Sequence, residues 1–261
     1  MSDEARVDVS VDNGIARLTL NNPTRKNALT LSMTEQIGEF CQRVETDLSI
    51  GAVIVDSAGN YFCSGADTRD LAASSEAPAS PEAVARTSAV YGSFVRVGTL
   101  PVPTISLVKG GAVGAGLNLA MATDIMLVTP DVVLDSGFLA RKIHPGGGHI
   151  RMLGRSMGYQ QAVAMSIFGA ALSGEDAVAR GFAWAAVPAE ELLDTALGLC
   201  RLPAADPELA RRIKQSATIE LDSGLSWAAA VEVERGVQMW SLGRKGSKAW
   251  EQKPGAPTTG R

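Results

Sequence analysis

The sequence predicts an α/β protein with a helical C-terminal region, and three observations carry this prediction. Short β-type segments alternate with segments of helical period along the first 200 residues, which is typical of a sheet covered by helices. After Pro203 the apolar residues follow a helical period only. The length of 261 residues allows one sizeable core plus a small appendage. We therefore expect a core at 1–200 and a helical region at 201–261, which is either a small second domain or an assembly arm.

Strands are predicted where apolar and β-branched residues alternate or form short runs between turn signals. The predicted strands cover residues 7–11, 15–20, 52–56, 104–108, 125–128, 132–134 and 183–187. The first two flank Asp12-Asn13-Gly14, which is typical of a tight hairpin turn. We therefore expect the sheet to begin with a hairpin.

Helices are predicted where apolar residues recur every three to four positions. The predicted helices cover residues 32–47, 81–98, 115–123, 156–168, 174–180 and 190–201. Ser32 is the expected N-cap of the first helix, with Glu35 at the capping-box spacing. We expect loops at 60–70 and 135–148, and a mobile low-complexity stretch at 72–81.

Composition and charge exclude several classes of function. The formal net charge is −4 and no basic stripe is present, which argues against a nucleic-acid partner. The cysteines Cys41, Cys63 and Cys200 are widely spaced and form no metal-binding or disulfide pattern, so we expect no metal and a reducing compartment. The polar N-terminal segment is unlike a signal peptide, and no apolar run is long enough to span a membrane. These features predict a cytoplasmic protein.

A glycine-rich loop joins a predicted strand to a predicted helix at residues 109–118. This order of elements often presents backbone N–H groups to a negative group. The spacing Gly111-x-x-Gly114-x-Gly116 differs from the dinucleotide fingerprint, and no lysine follows as in a phosphate loop. The loop therefore either binds another kind of anion or only permits tight packing of the strand against the helix.

Four motifs together resemble those of the crotonase superfamily, the enoyl-CoA hydratase/isomerase family. They are Asn22-Pro23-x-x-x-Asn27-Ala28-Leu29, Phe62-Cys63-Ser64-Gly65-Ala66-Asp67, the run from Pro103 to Gly116, and Pro145-Gly146-Gly147-Gly148. The resemblance implies a crotonase-like spiral of ββα units with a C-terminal helical trimerisation region. It also implies an acyl-CoA thioester as ligand, with coenzyme A as part of the substrate rather than a permanently bound cofactor, and assembly as a homotrimer or a hexamer (a dimer of trimers).

The resemblance also implies an oxyanion hole built from the backbone N–H groups of Ala66 and Ala115. Such donors, helped by a helix N-terminus, stabilise the charge that a thioester carbonyl gains on becoming an enolate. Ala115 stands where the family usually has glycine, and it keeps the N–H group.

The expected coenzyme A contacts lie on both motif loops. By resemblance, Arg25 and Lys26 lie near the phosphates, and Ala28, Ala66 and Asp67 complete the binding side. Tail lysines such as Lys248 or Lys253 are expected to reach coenzyme A on a neighbouring subunit.

Both glutamates of the family hydratases are replaced in this sequence. Their positions hold Asn118 and Phe138. A positioned acid or base contributes about 10²–10⁴-fold to a rate, and one oxyanion donor about 10²–10³-fold, so standard hydration is not expected. Asn118 can orient a water molecule but cannot take a proton at neutral pH, and Phe138 could pack against an acyl chain.

Other residues near these positions are candidates for proton transfer. His144 and His149 flank the glycine run, and each either titrates near neutral pH or makes a structural hydrogen bond. Asp67 is a secondary candidate, because this residue mostly shapes the loop in the family. Asp135 is expected to face away from position 138 on an extended segment, whereas Ser136 has the right phase but an unsuitable pKa.

Two classes of function remain open. The first is a lyase or isomerase of fatty-acid or acyl-CoA metabolism that keeps enolate stabilisation and uses non-standard catalytic residues. The second is a non-catalytic acyl-CoA binding or carrier protein with the same fold. The retained oxyanion donors favour the first, and the missing carboxylates favour the second. A hydrolase based on Ser64 is disfavoured because no Gly-x-Ser-x-Gly elbow is present.

Overall fold

The structure is a computed structural model that describes residues 5–222 and 224–246. Its strands are β1 Arg6–Asp12, β2 Ile15–Asn21, β3 Ala52–Ser57, β4 Thr104–Val108, β5 Gly111–Val113, β6 Ile125–Val128, β7 Val133–Asp135 and β8 Ala185–Ala186. Its helices are α1 Leu31–Thr46, α2 Thr68–Glu76, α3 Pro81–Gly98, α4 Ala115–Ala122, α5 His149–Ser166, α6 Gly174–Ala179, α7 Leu192–Ala205, α8 Pro207–Asp222 and α9 Trp227–Lys245. The predicted α/β class is confirmed.

The strands form a six-stranded sheet and a separate two-stranded sheet. The large sheet has the order β1-β2-β3-β4-β6-β8, and the small sheet pairs β5 with β7. The predicted hairpin is confirmed, because β1 and β2 pair antiparallel around Asn13 and Gly14, which both have positive φ. The later strands of the large sheet pair in parallel, as βαβ connections require.

Helices cover both faces of the large sheet. Val53 and Val55 of β3 belong to the cluster packed under α1 and α3, whereas Ala52 and Ile54 belong to the cluster under α7. This alternation follows the period of two in a strand, and every residue of β3 is buried. The uninterrupted apolar character of β3 is therefore that of a parallel strand covered on both sides.

Several element boundaries differ from the sequence prediction. Thr30 rather than Ser32 caps α1, because its side chain accepts a hydrogen bond from the Met33 N–H at 3.2 Å. Residues 68–76 form α2 where a loop and a mobile stretch were expected, since Asp67 caps this helix. Helix α5 begins at residue 149 rather than 156, and the predicted strand at 183–187 reduces to two residues.

The C-terminal helices are tied to the core by two basic side chains of α8. Arg211 donates to the carbonyl oxygens of Val44, Asp47 and Ile50. Lys214 pairs with Asp124 at 2.8 Å. The predicted helical character of the C-terminal region is confirmed, and these two side chains attach α8 to the core.

Part of the expected assembly region falls outside the described residues. Lys248 and Lys253 both lie there, so their expected contacts with coenzyme A stay predictions. Leu202, Leu221 and Trp227 are large apolar residues of the last helices that are more than 70% exposed. Within the described ranges, no helix combines the length and the apolar character that a membrane crossing requires.

Candidate active site

Three loops meet edge to edge beside the small sheet. The Leu29 N–H donates to the Gly65 carbonyl at 2.8 Å, and the Asp67 N–H donates to the Leu29 carbonyl at 2.9 Å. On the other side, the Cys63 N–H donates to the Gly111 carbonyl at 3.2 Å. The segment 63–67 is therefore held like a short strand between two loops that are distant in sequence.

The backbone amides of Ala66 and Ala115 lie close together in this arrangement. Leu29 bonds the Gly65 carbonyl and the Asp67 amide, so the Ala66 amide between them points to the opposite side. A Cβ built on Gly65 would lie 3.7 Å from the Ala115 backbone nitrogen. Ala115 is the first residue of α4, so its N–H has no acceptor within the helix. Ala66 and Ala115, which the resemblance assigned to one site, thus lie near each other, and their role as oxyanion donors stays a prediction.

Gly116 makes this close approach possible. A Cβ built on Gly116 would lie 2.2 Å from the Cys63 carbonyl oxygen, which is backbone and cannot move aside. The start of α4 therefore packs directly on the 63–66 loop. Burial raises the pKa of the neighbouring Cys63 thiol to about 12, so the thiol stays protonated and is no nucleophile at neutral pH.

A cavity of about 480 Å³ opens over the two amides. Ala66, Ala115 and Ala28 line it, and α2 and α3 form its far wall. Its basic side chains are Arg25, Lys26, Arg86 and Arg141. This volume is that of a small-molecule site, and its charge suits an anionic ligand.

The predicted phosphate contacts have partners within the chain. Arg25 pairs with Asp67 at 3.2 Å, and Lys26 lies over the Tyr61 ring at 5.0 Å. Asp67 is buried, and it also accepts from the backbone and side chain of Arg69. The hydrogen bond from the Arg69 side chain, with a smaller contribution from Arg25, holds the pKa of Asp67 below its ordinary value. Asp67 therefore stays ionised and shapes the loop.

Asn118 and Phe138, predicted to stand at the positions of the family glutamates, line the cavity. Asn118, on α4, donates through Nδ2 to the Gly146 carbonyl at 3.0 Å. Phe138 follows a left-handed Gly137, so the segment turns at this point and is not extended as the sequence argument assumed. The Phe138 ring packs edge-on against the His149 ring, with centroids 5.0 Å apart. Both positions therefore face the cavity without a carboxylate.

The two histidines occupy different environments. His144 is exposed at the cavity rim, and its Nδ1 donates to the Pro145 carbonyl at 2.7 Å. His149 is only 1% exposed. Burial lowers the pKa of His149 to about 4, so its imidazole is neutral at pH 7 and does not titrate near that pH.

His149 connects two polar side chains of the cavity wall. Its Nδ1 lies 2.6 Å from Asn118 Oδ1, and its Nε2 lies 2.8 Å from Ser136 Oγ. Sequence reasoning named each of these residues separately but missed their contact. A prediction that α5 begins at residue 149 instead of 156 would have indicated this contact, because a helix that begins there directs the His149 side chain toward α4.

The acidic side chains near position 138 do not join this cluster. Asp135 accepts from the Gly137 N–H at 2.9 Å, within its own turn. Among the described residues that line the cavity, one has a carboxylate side chain, Asp70 of α2. The described part of the chain contains no group of histidine, cysteine or acidic side chains that could hold a metal ion.

Comparisons with known proteins agree on one family. A family model described as enoyl-CoA hydratase/isomerase matches residues 10–250. The chain is 41% identical over 199 residues to a probable enoyl-CoA hydratase, EchA14, of Mycobacterium tuberculosis, covering 76% of this chain and 75% of the relative. It is 34% identical over 198 residues to the 1,2-epoxyphenylacetyl-CoA isomerase of Escherichia coli, covering 76% of this chain and 75% of that protein.

A solved structure shows the same fold. The crystal structure of an enoyl-CoA hydratase from Polaromonas sp. JS666 matches with a TM-score of 0.84 at 24% identity, over 94% of this chain and 96% of that chain. The expected crotonase fold is thereby confirmed. Since the family model covers most of the sequence, the chain belongs to the enoyl-CoA hydratase/isomerase family.

Proposed function

We propose that this protein binds an acyl-CoA thioester in the 480 Å³ cavity and stabilises the enolate of that thioester with the N–H groups of Ala66 and Ala115. The observation that carries the proposal is that Ala66 and Ala115 line one cavity, with a Cβ built on the neighbouring Gly65 only 3.7 Å from the Ala115 nitrogen. Neutral backbone donors fixed in place stabilise a developing oxyanion without reorganising. The reaction is then of the isomerase or lyase type within fatty-acid or acyl-CoA metabolism.

The basic rim of the cavity supports a coenzyme A ligand. Arg25, Lys26, Arg86 and Arg141 line the cavity, and guanidinium groups bind phosphates by charge-assisted hydrogen bonds. The two relatives above share a CoA thioester in their names. Ala28 and Ala66 have small side chains, which leaves room in the cavity for the thin pantetheine chain.

The replaced glutamates make standard hydration a poor fit. Neither Asn118 nor Phe138 can take a proton from water. His144 is a candidate for proton transfer, because it lies exposed at the rim of the cavity. Asp67 is a weak candidate, because two arginines occupy its carboxylate.

Exchange of the α-proton of butyryl-CoA in D₂O tests the enolate directly, since this exchange requires no other chemical step. Ala115→Pro removes one donor, and proline is tolerated at the first position of a helix. We expect this variant to lose about 10²–10³-fold in exchange rate. Ala115→Gly keeps the N–H group and is the matched control. Equal rates in all three proteins would show that the Ala115 amide is not a donor.

A non-catalytic carrier is the second candidate, and the carboxylate-free positions 118 and 138 favour it. Binding of acyl-CoA, measured by calorimetry, without any α-proton exchange would support this alternative. Loss of the enoyl absorbance of trans-2-enoyl-CoA at high protein concentration would contradict it. Absence of binding would contradict both candidates.

A further inference from the structure

Ser136, His149 and Asn118 form a continuous hydrogen-bonded chain in the wall of the proposed thioester site. Ser136 directly follows β7, His149 is the first residue of α5, and Asn118 lies in α4. Both ring nitrogens of His149 are bonded, at 2.6 Å to Asn118 Oδ1 and at 2.8 Å to Ser136 Oγ. All three side chains are at most 1% exposed, so water competes little for these bonds.

The direction of each hydrogen bond follows from one backbone carbonyl. The Gly146 carbonyl can only accept, so the Asn118 atom facing it, at 3.0 Å, is the Nδ2 donor. Asn118 Oδ1 then faces His149 Nδ1, which must carry the proton. His149 Nε2 is left as the acceptor, so Ser136 donates its hydroxyl proton to it. The free lone pair of the neutral imidazole therefore points at the Ser136 hydroxyl group.

The serine also borders the cavity that Ala66 and Ala115 line. Val113 pairs with Asp135 in the small sheet, and the Gly114 N–H donates to the Asp135 carbonyl at 3.2 Å. Ser136 is the next residue, and it lies beside Gly114, which precedes the Ala115 amide. Ser136, Ala66 and Ala115 all line the same cavity. A ligand in this cavity can therefore contact the serine and the two alanines together.

We propose that Ser136 is a nucleophile that His149 activates and Asn118 orients, and that this protein hydrolyses acyl-CoA thioesters through an acyl-serine. The proposal rests on the thioester site proposed above and adds an activity to it. A nucleophile bonded to a base, a base bonded to an orienting group and a neighbouring pair of oxyanion donors are the parts that acyl transfer requires. An amide oxygen can serve as the orienting group, as in the Cys-His-Asn arrangement.

The reaction then proceeds in two balanced halves. Ser136 Oγ forms a bond to the thioester carbon while its proton passes to His149 Nε2, and the carbonyl oxygen takes the negative charge. The C–S bond breaks, the coenzyme A sulfur takes the proton from His149, and the acyl group stays on Ser136 as an ester. Water adds to this ester while His149 takes a proton from it and returns that proton to Ser136 Oγ. The products are a carboxylic acid and coenzyme A.

The neutral amide of Asn118 limits this chemistry. A carboxylate at this place would stabilise the imidazolium that forms during the reaction, whereas an amide only orients the ring. The proposed hydrolysis is therefore slow compared with that of carboxylate triads. Thioesters suit such a site, because a thiolate leaves more readily than an alkoxide or an amide ion.

Release of coenzyme A from butyryl-CoA, followed with a thiol reagent, tests the proposal. Ser136→Ala should lose at least about 10²-fold of the hydrolysis rate. Ser166→Ala is the matched control, because it removes another mostly buried hydroxyl, at the end of α5 and outside the cavity lining; we expect no change. Thermal unfolding of both variants verifies that they are folded. In the unmodified protein, an alkyl fluorophosphonate should label Ser136, and butyryl-CoA should protect it.

The outcomes separate this proposal from the one it rests on. Binding and α-proton exchange without hydrolysis, or labelling that leaves Ser136 unmodified, would overturn the nucleophile and leave the enolate site standing. Equal hydrolysis by Ser136→Ala and the unmodified protein would also overturn it. If Ser136→Ala loses α-proton exchange while no fluorophosphonate labels Ser136, then Ser136, His149 and Asn118 relay a proton, and Ser136 is not a nucleophile. Absence of acyl-CoA binding would overturn both proposals.

Discussion

At the scale of single residues, Gly116 shows how one missing methyl group positions the candidate site. Its Cα lies so close to the 63–66 loop that a Cβ would come within 2.2 Å of the Cys63 carbonyl oxygen. The clash would be with backbone, so it cannot be relieved by a side-chain rotation. The backbone of α4 can therefore approach this loop only with glycine at this position.

We expect Gly116→Ala to destabilise the fold by about 3 kcal/mol, because the 63–66 loop must shift to admit the methyl group. Denaturant unfolding measures this change. Gly154→Ala is the matched control, since Gly154 lies in α5 and a Cβ there meets no atom within 4 Å. That substitution should stabilise the protein by about 0.5–1 kcal/mol. Equal effects of the two substitutions would contradict the close approach.

The buried His149 predicts a pH dependence of stability. Burial lowers its pKa from 6.5 to about 4, while its partners Ser136 and Asn118 are uncharged and Phe138 packs on its ring. The unfolded chain therefore takes up a proton first as the pH falls below 6.5, and the folded state follows only near pH 4. Stability should fall by about 3 kcal/mol across this window.

Unfolding in urea at pH 7 and at pH 4.5 measures this dependence. His149→Gln removes the titrating group, so the difference between the two pH values should shrink in this variant. His144→Gln is the control for replacing a histidine as such, because His144 is exposed and lies outside the buried cluster. A pH dependence that persists unchanged in His149→Gln would assign it to other groups.

At the scale of elements, α2 forms one wall of the cavity and depends on its cap. Asp67 accepts from the Arg69 N–H at 2.8 Å and pairs with the side chains of Arg25 and Arg69. We expect Asp67→Ala to cost about 1–2 kcal/mol and to speed amide hydrogen exchange within 68–76. Asp67→Asn keeps an oxygen that can cap the helix, so it should protect these amides better than alanine. Equal protection in both variants would contradict the capping role.

The sequence contained enough information for most elements but not for those that tertiary contacts create. The β1–β2 hairpin and strands β3 and β4 were predicted because turn residues and apolar runs are local signals. Helix α2 was missed because its low-complexity composition hides a helix that a buried carboxylate caps. The start of α5 was missed because its N-cap is Gly148, with φ +80° and no side chain that could cap the helix, so the usual local start signal is absent.

The candidate site shows the same division. The motif resemblance predicted that Ala66 and Ala115 belong to one site; both line the same cavity, and their role as oxyanion donors stays a prediction. The bond between His149 and Ser136 could not be predicted, because the two residues are 13 positions apart and no secondary-structure period links them. The assumption of an extended segment at 136–138 also failed, since Gly137 has φ +65° and turns the chain.

At the scale of the whole molecule, Arg211 connects the C-terminal helices to the core. Its Nη2 donates to three carbonyl oxygens at the end of α1 and in the loop after it, at 2.8, 3.0 and 3.2 Å. Burial lowers the pKa of Arg211 from its ordinary value. A single guanidinium therefore provides hydrogen-bond donors for a group of partly buried carbonyls.

We expect Arg211→Met to destabilise the protein by about 2–4 kcal/mol, because those carbonyls lose a charged donor. Arg212→Met is the control, since the neighbouring side chain is 42% exposed and stacks on Trp240 at 4.0 Å. Its loss should cost below about 1 kcal/mol. Limited proteolysis should release the helical region faster in Arg211→Met alone. Similar release from both variants would contradict the anchoring role.

Assembly remains a prediction at this scale. The exposed apolar residues Leu202, Leu221 and Trp227 are consistent with a buried face between subunits. Light scattering should give the mass of a homotrimer or a hexamer, and Leu202→Glu should lower it. A monomeric mass for the unmodified protein would contradict the expected assembly.

Because the 63–66 loop lies against the start of α4, two kinds of evolutionary change have different effects on the site. The paired amides belong to the main chain, so replacement of a surrounding side chain leaves them in place. The side chains at 118, 136 and 138 lie around the same cavity and are free to vary without rebuilding those donors. One anion-binding scaffold can therefore acquire a new reaction by a few substitutions, while changes in the glycines that hold the scaffold would abolish every reaction at once.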